Sequence, residues 1–371
     1  MSESIFNVAL VGCGRIAGHH CRAIRATPGL RLAALCDLKP EAAEQWTEGE
    51  DIPVFTSYHD MLTALPQIDV VAVITPSGMH AEHGAEIIEG YGKHLILEKP
   101  TVLRFSDLHR LDEMARARGL RVFPVYQNRY NKAVVRTRRA LDAGELGDPR
   151  VITVRVRWCR PQRYYDLAPW RGTYALDGGA LTNQGIHHMD LLRHLGGEVK
   201  RVNAQMRTLG ADIEVEDTVT AVIEFHSGAV GTVEVTTAAR PIDFEASISV
   251  LGSEGCAQIG GIAVNELQVF TPDPEACAAH SEDFSDCVYG NGHYRLYEDM
   301  VADLTGRAPY PMGAGETAKT LALLHAFYVS DEKGDWVTPG EESVRLGRTG
   351  DPVADLYRTP APGENKTKTN D

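Results

Sequence analysis

A glycine-rich loop close to the N-terminus is the first segment whose residue types and spacing could bind a ligand. Gly12-Cys13-Gly14-Arg15-Ile16-Ala17 follows a predicted strand and leads into a predicted helix. In the pattern G-x-G-x-x-A, Gly12 permits a tight turn, Gly14 lets the backbone approach a pyrophosphate, and Ala17 lets helix and strand pack closely. The helix N-terminus offers free N–H groups to the phosphates. The loop therefore predicts a dinucleotide site, with a ligand-free glycine turn as the alternative.

Asp37 ends the second predicted strand, ~20 residues after the loop, where this fingerprint places an acidic residue. A carboxylate there can accept hydrogen bonds from both ribose hydroxyls of an adenosine, and it repels a 2′-phosphate. Asp37 therefore favours NAD over NADP, although Arg15 and Lys39 lie close enough in sequence to weaken that preference. The alternative is an N-cap for the helix that begins near Pro40.

Composition and charge restrict the class of partner. The chain has 371 residues, with 37 Lys and Arg against 51 Asp and Glu, which gives a net charge of −14. Nucleic acids and anionic membranes attract basic surfaces, so neither is expected as a partner. No apolar run approaches the ~20 residues that span a bilayer, and no basic segment opens a secretory signal, so we expect a cytoplasmic protein. The seven cysteines show none of the spacings of zinc or redox motifs, and we predict no metal site.

The elements that must position the loop and Asp37 alternate between strands and helices over the first third of the chain. Strands are predicted at 5–11, 30–36, 54–55, 70–74, 94–97 and 120–125, and helices at 15–26, 41–46, 81–89 and 106–118. This alternation indicates βαβ units and a parallel sheet. The strands are continuously apolar, as expected for a sheet covered on both faces. We predict an α/β protein whose residues 1–125 form a doubly wound dinucleotide-binding Rossmann domain.

After residue 125 the pattern changes to longer strands with period-two alternation. Helices at 132–141 and 184–195 flank a strand at 151–159, and further strands are predicted at 199–206, 218–225, 229–236, 246–251 and 267–270. Their order indicates an antiparallel meander. Helices at 293–305 and 316–329 complete a substrate-binding and oligomerisation α/β domain over residues 126–345. Residues 346–371 form a C-terminal extension, and we predict a free tail after Tyr357, with an arm on a neighbouring subunit as the alternative.

Two further segments identify a family. Thr75-Pro76-Ser77-Gly78-Met79-His80 is followed, after the next strand, by Glu98-Lys99-Pro100, and Gly178-Gly179 opens a segment that runs through Asn183 and His187 to Asp190. Together with the glycine loop they resemble the Gfo/Idh/MocA oxidoreductases from about residue 5 to residue 335. The resemblance implies a nicotinamide-binding Rossmann domain and a C-terminal α/β domain with a large open-faced sheet. That sheet commonly makes oligomer contacts, so a homodimer or homotetramer is expected.

The resemblance also implies roles for individual residues. Lys99 and His187 match the family's catalytic lysine and histidine. Asn183 stands where many members carry an aspartate, and we predict it as the third catalytic residue. The residues implied to contact the cofactor, NAD, are Gly12, Gly14, Arg15, Ile16, Asp37, Thr75, Ser77, His80, Glu98, Lys99, Gln127, Trp170 and Arg171.

The chemistry of these residue types agrees with the implied roles. Oxidation of a secondary alcohol needs a hydride acceptor, the nicotinamide, and a base for the hydroxyl proton. A lysine at the carboxyl end of a parallel strand points into the crevice where doubly wound sheets bind ligands, and burial near a cationic ring lowers its pKa. Asn183 and His187 are four residues apart, so they share a face if they lie on one helix. Because an amide cannot take a proton, we expect Lys99 and His187 to carry the acid–base chemistry.

Within the family, the chain most closely resembles the UDP-N-acetyl-D-glucosaminuronate 3-dehydrogenases, which oxidise carbon 3 of a nucleotide sugar with NAD. The segments that carry this likeness are 126–131, 160–165, 169–174, 260–265 and 289–293. The products of these dehydrogenases feed bacterial surface polysaccharides. Some of these enzymes recycle NAD by reducing 2-oxoglutarate in the same site. The resemblance therefore implies a nucleotide-sugar substrate, with 2-oxoglutarate as a candidate recycling oxidant.

A cationic segment fits an anionic nucleotide sugar. Residues 129–163 hold ten Lys and Arg against three acidic residues, and guanidinium groups bind pyrophosphates and carboxylates in a fork. A solvated or subunit-contact face is the alternative for these arginines. Substrate contacts are predicted for Lys99, Gln127, Asn128, Arg129, Arg163, Tyr165, Arg171, Asn183 and His187.

Two other functions stay open at this point. An enzyme of the same family that acts on another sugar, such as a dTDP-linked 3-ketosugar reductase that uses NADPH, fits the same motifs, although Asp37 argues against NADPH. A non-catalytic dinucleotide-binding sensor also fits, because a fold does not fix a function. The joint presence of Lys99 and His187 argues against the sensor.

Overall fold

A six-stranded parallel sheet is built from the first 124 residues. The computed structural model describes residues 5–284 and 289–359 of the chain. The strands are β1 (Phe6–Val11), β2 (Leu30–Cys36), β3 (Val54–Phe55), β4 (Val70–Val73), β5 (His94–Leu97) and β6 (Val122–Pro124), and the helices between them are α1 (Ala17–Ala26), α2 (Pro40–Glu44), α3 (Tyr58–Ala64), α4 (His80–Tyr91) and α5 (Phe105–Arg116). The strand order β3-β2-β1-β4-β5-β6 is that of a doubly wound Rossmann sheet, which confirms the predicted fold.

The neighbouring strands β1 and β4 mark the point where the strand order of this sheet reverses. Ligands bind in the crevice outside the carboxyl ends of the strands at such a point. All four residues of β4 are buried, as expected for a strand covered on both faces. Helix α3 was not predicted, because its seven residues are too few to show a clear helical period.

The second sheet has seven strands and is mostly antiparallel. Its strands are β7 (Pro149–Arg157), β8 (Val199–Arg207), β9 (Thr218–Phe225), β10 (Val230–Thr236), β11 (Glu245–Gly252), β12 (Cys256–Gly260) and β13 (Glu266–Phe270), in the order β13-β12-β11-β7-β10-β9-β8. The helices of this part of the chain are α6 (Lys132–Asp142), α7 (Gln162–Tyr165), α8 (Ala180–Asn183), α9 (Ile186–Gly196), α10 (Ala276–Ala279), α11 (Gly292–Leu304) and α12 (Ala314–Lys333).

The predicted meander is wrong at the centre of this sheet. Strand β7 lies between β10 and β11, and it pairs in parallel with β10, Val151 opposite Val230. The connection after β7 holds α7, α8 and α9 and carries the chain to the edge strand β8. The meander β8-β9-β10 then brings the chain back beside β7. Strand β12 was not predicted, because its five residues end in glycine and carry no long alternating pattern.

The last two helices pack back on the Rossmann sheet. The Tyr310 hydroxyl donates a hydrogen bond to the carbonyl oxygen of Pro124 at 2.6 Å, and His325 of α12 donates to the carbonyl of Leu103 at 2.8 Å. These contacts join the end of the first sheet to the C-terminal half of the chain. None of the described helices is long and apolar enough to cross a bilayer.

The C-terminal extension packs on the same chain as far as it is described. A 3-10 turn, Pro352–Leu356, buries Ala354 against Leu176 and Met79. Beyond it, Arg358 makes a two-point ion pair with Glu82 of α4, with N···O distances of 2.6 and 2.9 Å. The prediction of a free tail after Tyr357 is therefore wrong for Arg358, and residues 360–371 lie outside the described residues.

Candidate active site

Strand β1 leads into the glycine loop, whose backbone depends on Gly12. This residue has a φ of +91°, and a Cβ on it would lie 2.6 Å from the carbonyl oxygen of Ile74. Only glycine meets both conditions without steric cost. A Cβ on Gly14 would meet no atom within 4 Å, so the space beside this residue is open. Helix α1 begins at Ala17, and its first N–H groups have no partner within the helix. This cradle fits the pyrophosphate of NAD.

Asp37 lies at the carboxyl end of β2 and is hydrogen-bonded to the glycine loop. Its Oδ2 accepts from the amide of Cys13 at 2.7 Å, and its Oδ1 accepts from the amide of Lys39 at 2.9 Å. The carboxylate is thereby held beside the loop, where this fold binds the adenosine ribose. The N-cap residue of α2 is Lys39, and no side chain among the described residues caps this helix, so the alternative prediction of Asp37 as the N-cap is wrong. Arg15 is exposed, and Ile16 is the N-cap residue of α1.

His80 ties together the loops that follow β4 and β5. Its buried ring lies between two carbonyl oxygens, with Nε2 2.9 Å from Thr75 and Nδ1 3.0 Å from Pro100. The short turn Ser77–Met79, in which Ser77 is buried, donates from its central amide to the carbonyl of Leu176 at 2.9 Å. These hydrogen bonds hold the loops at the carboxyl ends of β4 and β5 together, and the contribution of His80 is to link the two loops.

A buried cluster holds Glu98 next to Lys99. Glu98 Oε1 lies 3.0 Å from His20 Nε2 and 3.6 Å from His293 Nε2, and Oε2 accepts from the amide of Lys99 at 2.9 Å. Burial raises the pKa of Glu98, but the hydrogen bond with His20 and the nearby imidazole of His293 outweigh burial and hold that pKa well below its usual value. His20 Nδ1 lies 2.8 Å from the Tyr297 hydroxyl.

The ligand atoms of His20, Glu98 and His293 lie within 4.8 Å of one another, a spacing that a metal ion could bridge. The 3.0 Å contact has the length of a hydrogen bond. We interpret the cluster as a hydrogen-bonded link between α1, the end of β5 and α11, and the absence of a metal site stays a prediction.

Lys99 follows β5 and reaches across to the segment before α9. Its Nζ donates to two oxygens of Asn183, the main-chain carbonyl at 3.0 Å and Oδ1 at 3.1 Å. Burial lowers the pKa of Lys99, and the positive charges of Arg171 and Arg160 act in the same direction, while two nearby carboxylates oppose them. A lowered pKa increases the fraction of neutral amine, which is the form that can accept a proton.

Asn183 and His187 do not lie on one helix, so the condition under which they would share a helix face is not met. Helix α8 ends at Asn183 and α9 begins at Ile186, with Gly185 in the break. The chain packs tightly there, since a Cβ on Gly185 would lie 2.9 Å from the carbonyl oxygen of Leu181. Both residues are linked to Lys99: its amine contacts Asn183 directly, and its charge lowers the pKa of His187.

His187 is buried, and its ring nitrogens have no hydrogen-bond partner among the described residues. Burial, and then the charge of Lys99, hold the pKa of His187 well below its usual value, so the ring is neutral. Its ring packs edge-to-face against Tyr126, with centroids 6.1 Å apart. Gln127 is also buried, and its Oε1 has no hydrogen-bond partner among the residues that the structure describes. Unpartnered buried polar atoms call for an explanation, and a ligand in the crevice supplies one.

Asn128 and Arg129 continue from Gln127 in a 3-10 turn, Gln127–Tyr130. Asn128 is half-buried there. The Arg129 guanidinium is paired in a fork with Asp190 of α9, with both N···O distances at 2.6 Å. The fork of Arg129 that would bind a substrate anion is thereby occupied by Asp190 of α9.

Arg171 lies in an aromatic bracket. Its guanidinium carbon is 4.5 Å from the ring centroids of both Tyr164 and Trp170, and Nη1 donates to the Tyr164 hydroxyl at 2.7 Å. Tyr165 is buried, with its hydroxyl 3.0 Å from Thr237 Oγ1. Arg163 is exposed on α7, and none of the contacts in the described parts of the chain brings it to Lys99. Substrate contacts were also predicted for Arg163 and Arg171. Of these two, Arg171 is the one whose charge lowers the pKa of Lys99.

Sequence reasoning assigned no role to Asp177, Tyr164 or Arg160. Asp177 accepts hydrogen bonds from the amide of Gly172 at 2.7 Å and from Asn183 Nδ2. Arg160 stacks on Tyr164, its guanidinium carbon 5.5 Å from the ring centroid. The sequence signal for Asp177 was an acidic residue directly before Gly178-Gly179, in a segment that positions Asn183.

Comparisons with protein families match most of the chain. The model described as "Oxidoreductase family, NAD-binding Rossmann fold" (GFO_IDH_MocA) matches residues 6–126, and the GFO/IDH/MocA C-terminal domain matches residues 134–258. Among curated proteins, scyllo-inositol 2-dehydrogenase (NAD(+)) of Bacillus subtilis is 26% identical over 316 residues, which cover 80% of this chain and 90% of that protein.

Two solved structures are similar at higher identity. The WlbA dehydrogenase of Bordetella pertussis, solved in complex with NADH and UDP-GlcNAcA, has a TM-score of 0.86 and 35% identity over 92% of this chain and 100% of that chain. The WlbA dehydrogenase of Chromobacterium violaceum, solved with the same two ligands, has a TM-score of 0.84 and 36% identity over 92% of this chain and 98% of that chain.

Proposed function

Because the chain belongs to the Gfo/Idh/MocA family and is an NAD-dependent sugar oxidoreductase of that type, we propose that it oxidises the carbon-3 hydroxyl of a UDP-N-acetylglucosaminuronate-type nucleotide sugar to a 3-keto sugar. The similarity to two dehydrogenases solved with NADH and UDP-GlcNAcA supports this substrate. The observation that carries the chemistry is the pair of hydrogen bonds from Lys99 Nζ to Asn183. The buried ring of His187, which has no hydrogen-bond partner within residues 5–284 and 289–359, supports it.

Lys99 is the proposed base. A neutral amine has two N–H bonds and one lone pair, and Asn183 offers two oxygens, at 3.0 and 3.1 Å, to accept from those two N–H bonds. The lone pair is then left for the proton of the substrate hydroxyl. Burial lowers the pKa of Lys99 and so increases the amount of neutral amine. NAD, when bound, supplies the acceptor for the hydride that leaves carbon 3.

His187 is the proposed partner of Lys99 at the same hydroxyl. Its ring is neutral because burial and Lys99 lower its pKa, so one nitrogen can donate a hydrogen bond and the other can accept one. A neutral ring adds no second positive charge beside Lys99. His187 thereby orients the hydroxyl toward the amine, and it takes part in passing the proton onward after Lys99 receives it.

Arg171 is the proposed contact for the anionic part of the substrate. The rings of Tyr164 and Trp170 hold its guanidinium in place, and its charge acts on Lys99, so it lies near the reacting centre. A planar guanidinium suits the uronate carboxylate or the pyrophosphate. Gln127, whose buried Oε1 lacks a partner among the described residues, is the proposed acceptor for a hydroxyl or amide of the ligands.

The open face of the second sheet supports a homo-oligomer. Val222 of β9, Val230 of β10 and Val269 of β13 are each 45–50% exposed in the single chain, and Val222 lies opposite Thr232, next in line to Val230 on the same face. Apolar side chains on an open sheet are suited to contact with a second copy of the sheet. We propose a homodimer or homotetramer, which the mass of the protein in solution tests.

Turnover with matched sugars tests the proposed substrate. NADH formation at 340 nm is followed with UDP-GlcNAcA, with UDP-GlcNAc, which lacks the carboxylate, and with a dTDP-sugar, each with NAD and NADP. We expect kcat/KM to be roughly 10–100-fold higher for UDP-GlcNAcA than for UDP-GlcNAc, since a charge-assisted bond to Arg171 contributes ~1.5–3 kcal/mol. Equal values, or faster turnover of scyllo-inositol or the dTDP-sugar, would contradict the proposal. Addition of 2-oxoglutarate to the product mixture then tests whether it reoxidises NADH.

A further inference from the structure

The side-chain amide of Asn183 has a defined orientation, and Asp177 sets it. Asp177 is 1% exposed, and its carboxylate accepts from the amide of Gly172 at 2.7 Å and from Asn183 Nδ2. An ionised carboxylate only accepts hydrogen bonds, so the NH₂ group of Asn183 must face Asp177. The opposite atom, Oδ1, therefore faces Lys99 Nζ, 3.1 Å away.

We propose that Asp177 is a positioning residue for Lys99: it acts through Asn183 and places a negative charge behind the amide that Lys99 contacts. The inference rests on the proposed role of Lys99 as the base. It explains how the site keeps a carboxylate although Asn183 has none: Asp177, Asn183 and Lys99 form one continuous chain of hydrogen bonds.

The charged groups around Lys99 decide whether loss of the Asp177 charge raises or lowers the pKa of Lys99. Lys99 is faced by Glu98 at the end of β5, by Asp177 and Arg171 from the loop before α8, by Arg160 from the loop before α7, and by His187 from α9. The groups that face Asp177 are Lys99, Arg171, Tyr164 and Tyr165. The negative charge of Asp177 raises the pKa of Lys99 and opposes the lowering by burial and by the two arginines. Removal of that charge alone therefore lowers the pKa of Lys99.

Asp177 carries its charge at neutral pH and loses it in mild acid. Burial raises its pKa to about 6, against the lowering by its hydrogen bonds with Gly172 and Asn183. Below that pH a protonated Asp177 no longer holds the amide of Asn183 in one orientation. We therefore expect an acidic limb near pH 6 in kcat/KM that belongs to Asp177 and disappears in Asp177→Asn.

The test measures the titration of Lys99 without any sugar. The rate at which acetic anhydride modifies Lys99, read by peptide mass spectrometry between pH 6 and 11, gives the pKa of that amine in the folded protein with NADH bound. In Asp177→Asn we expect the midpoint to fall by roughly one unit or more, the effect of losing an opposite charge at close range. The double variant Asp177→Asn, Asn183→Asp moves the carboxylate next to Lys99, and we expect it to restore the midpoint to the wild-type value or above.

Asp217→Asn is the matched control. Asp217 is also 1% exposed and accepts from two main-chain amides, those of Leu209 at 2.9 Å and Gly210 at 2.6 Å, but it makes no bond to Asn183. Its variant should leave the midpoint of Lys99 unchanged. If Asp177→Asn does not fold, Asn183→Asp alone replaces it, and we expect the added carboxylate to raise the midpoint.

An unchanged midpoint in a folded Asp177→Asn protein that still binds NADH overturns the inference, and so does a double variant that fails to restore it. A shifted midpoint in a protein that does not oxidise UDP-GlcNAcA supports the role of Asp177 and contradicts the proposed substrate instead. The two failures are therefore distinguishable, because the modification rate does not depend on turnover.

Discussion

Glu216 is a buried acid that supports the segment leading to Asn183, and its replacement by glutamine gives a quantitative prediction. The side chain is 2% exposed, and its Oε1 accepts from the Tyr328 hydroxyl at 2.8 Å and from the amide of Leu181 at 3.1 Å. A Cβ on Gly179 would lie 1.9 Å from the carboxyl group, so Glu216 packs directly under the chain that enters α8. Oε2 has no partner within the described ranges. Burial raises the pKa of Glu216 to about 7.

The sign of the pH effect follows from that raised pKa. Between the ordinary glutamate pKa of 4.5 and about 7, the unfolded chain loses the proton of Glu216 before the folded chain does. Ionisation therefore favours the unfolded state, and stability falls as pH rises through this window and stays low above it. A difference of roughly 2.5 units, at 1.36 kcal/mol per unit, corresponds to about 3 kcal/mol at pH 8.

Glu216→Gln removes the ionisation and keeps an oxygen that can accept from Tyr328 and Leu181. The new NH₂ group occupies the position of Oε2, and an unsatisfied buried donor costs ~1–3 kcal/mol at every pH. Because this cost is the same at every pH, it cancels when the unfolding free energies at two pH values are subtracted. About 0.8 kcal/mol of the loss caused by ionisation is already present at pH 5, so we expect the variant to gain about 2.5 kcal/mol of unfolding free energy relative to wild type between pH 5 and pH 8.

Urea unfolding at pH 5, 6, 7 and 8, followed by circular dichroism, measures this difference. Tyr328→Phe is the control, because it removes one hydrogen bond and leaves the carboxyl group in place. It should lower stability without abolishing the pH dependence. The reasoning is refuted if wild type and Glu216→Gln show parallel stability curves over the whole range.

Three further predictions concern the cofactor and substrate contacts. Gly14→Val should leave the melting temperature unchanged, because a Cβ there lies within 4 Å of no atom of the described protein. It should weaken NADH binding at least ~10-fold in a fluorescence titration, since the pyrophosphate approaches this residue. Wild-type affinity would contradict the assignment of the glycine loop as the pyrophosphate site. Asp37→Ser should raise the ratio of kcat/KM for NADP to that for NAD roughly 10–100-fold by removing the charge that repels a 2′-phosphate, and an unchanged ratio would show that Asp37 does not select the cofactor. Arg171→Lys should raise KM for UDP-GlcNAcA roughly 10-fold while NADH affinity is kept, because an ammonium group neither stacks on two rings nor binds in a fork; an unaltered KM would remove Arg171 from the substrate site.

The Rossmann half of the fold was accessible from sequence because its signals are local. Each strand is a short apolar run, and the glycine loop lies between a strand and a helix, so βαβ alternation and the position of the loop follow from neighbouring residues. The C-terminal sheet was only partly accessible. That β7 pairs with β10 and β11 depends on contacts between residues far apart in sequence, which no local pattern encodes.

The site shows the same division. The sequence indicated Lys99, Asn183 and His187 and predicted a helix over 184–195, but it indicated neither the short helix that ends at Asn183 nor the break at Gly185. Arg129 and Arg171 look alike in sequence, yet Arg129 is paired with Asp190 while Arg171 lies between two rings. Which arginine is committed to a structural ion pair depends on its three-dimensional neighbours, and the role of Asp177 depends on them in the same way.

Transfer of deuterium from carbon 3 of the sugar tests the central claim most directly. The protein is incubated with NAD and UDP-GlcNAcA deuterated at carbon 3, and the NADH formed is analysed by mass spectrometry, beside a Lys99→Met protein shown to bind NADH. The account predicts that the deuterium appears in NADH and that Lys99→Met forms none. Sugar consumption that leaves NADH unlabelled, or wild-type turnover by Lys99→Met, would contradict it.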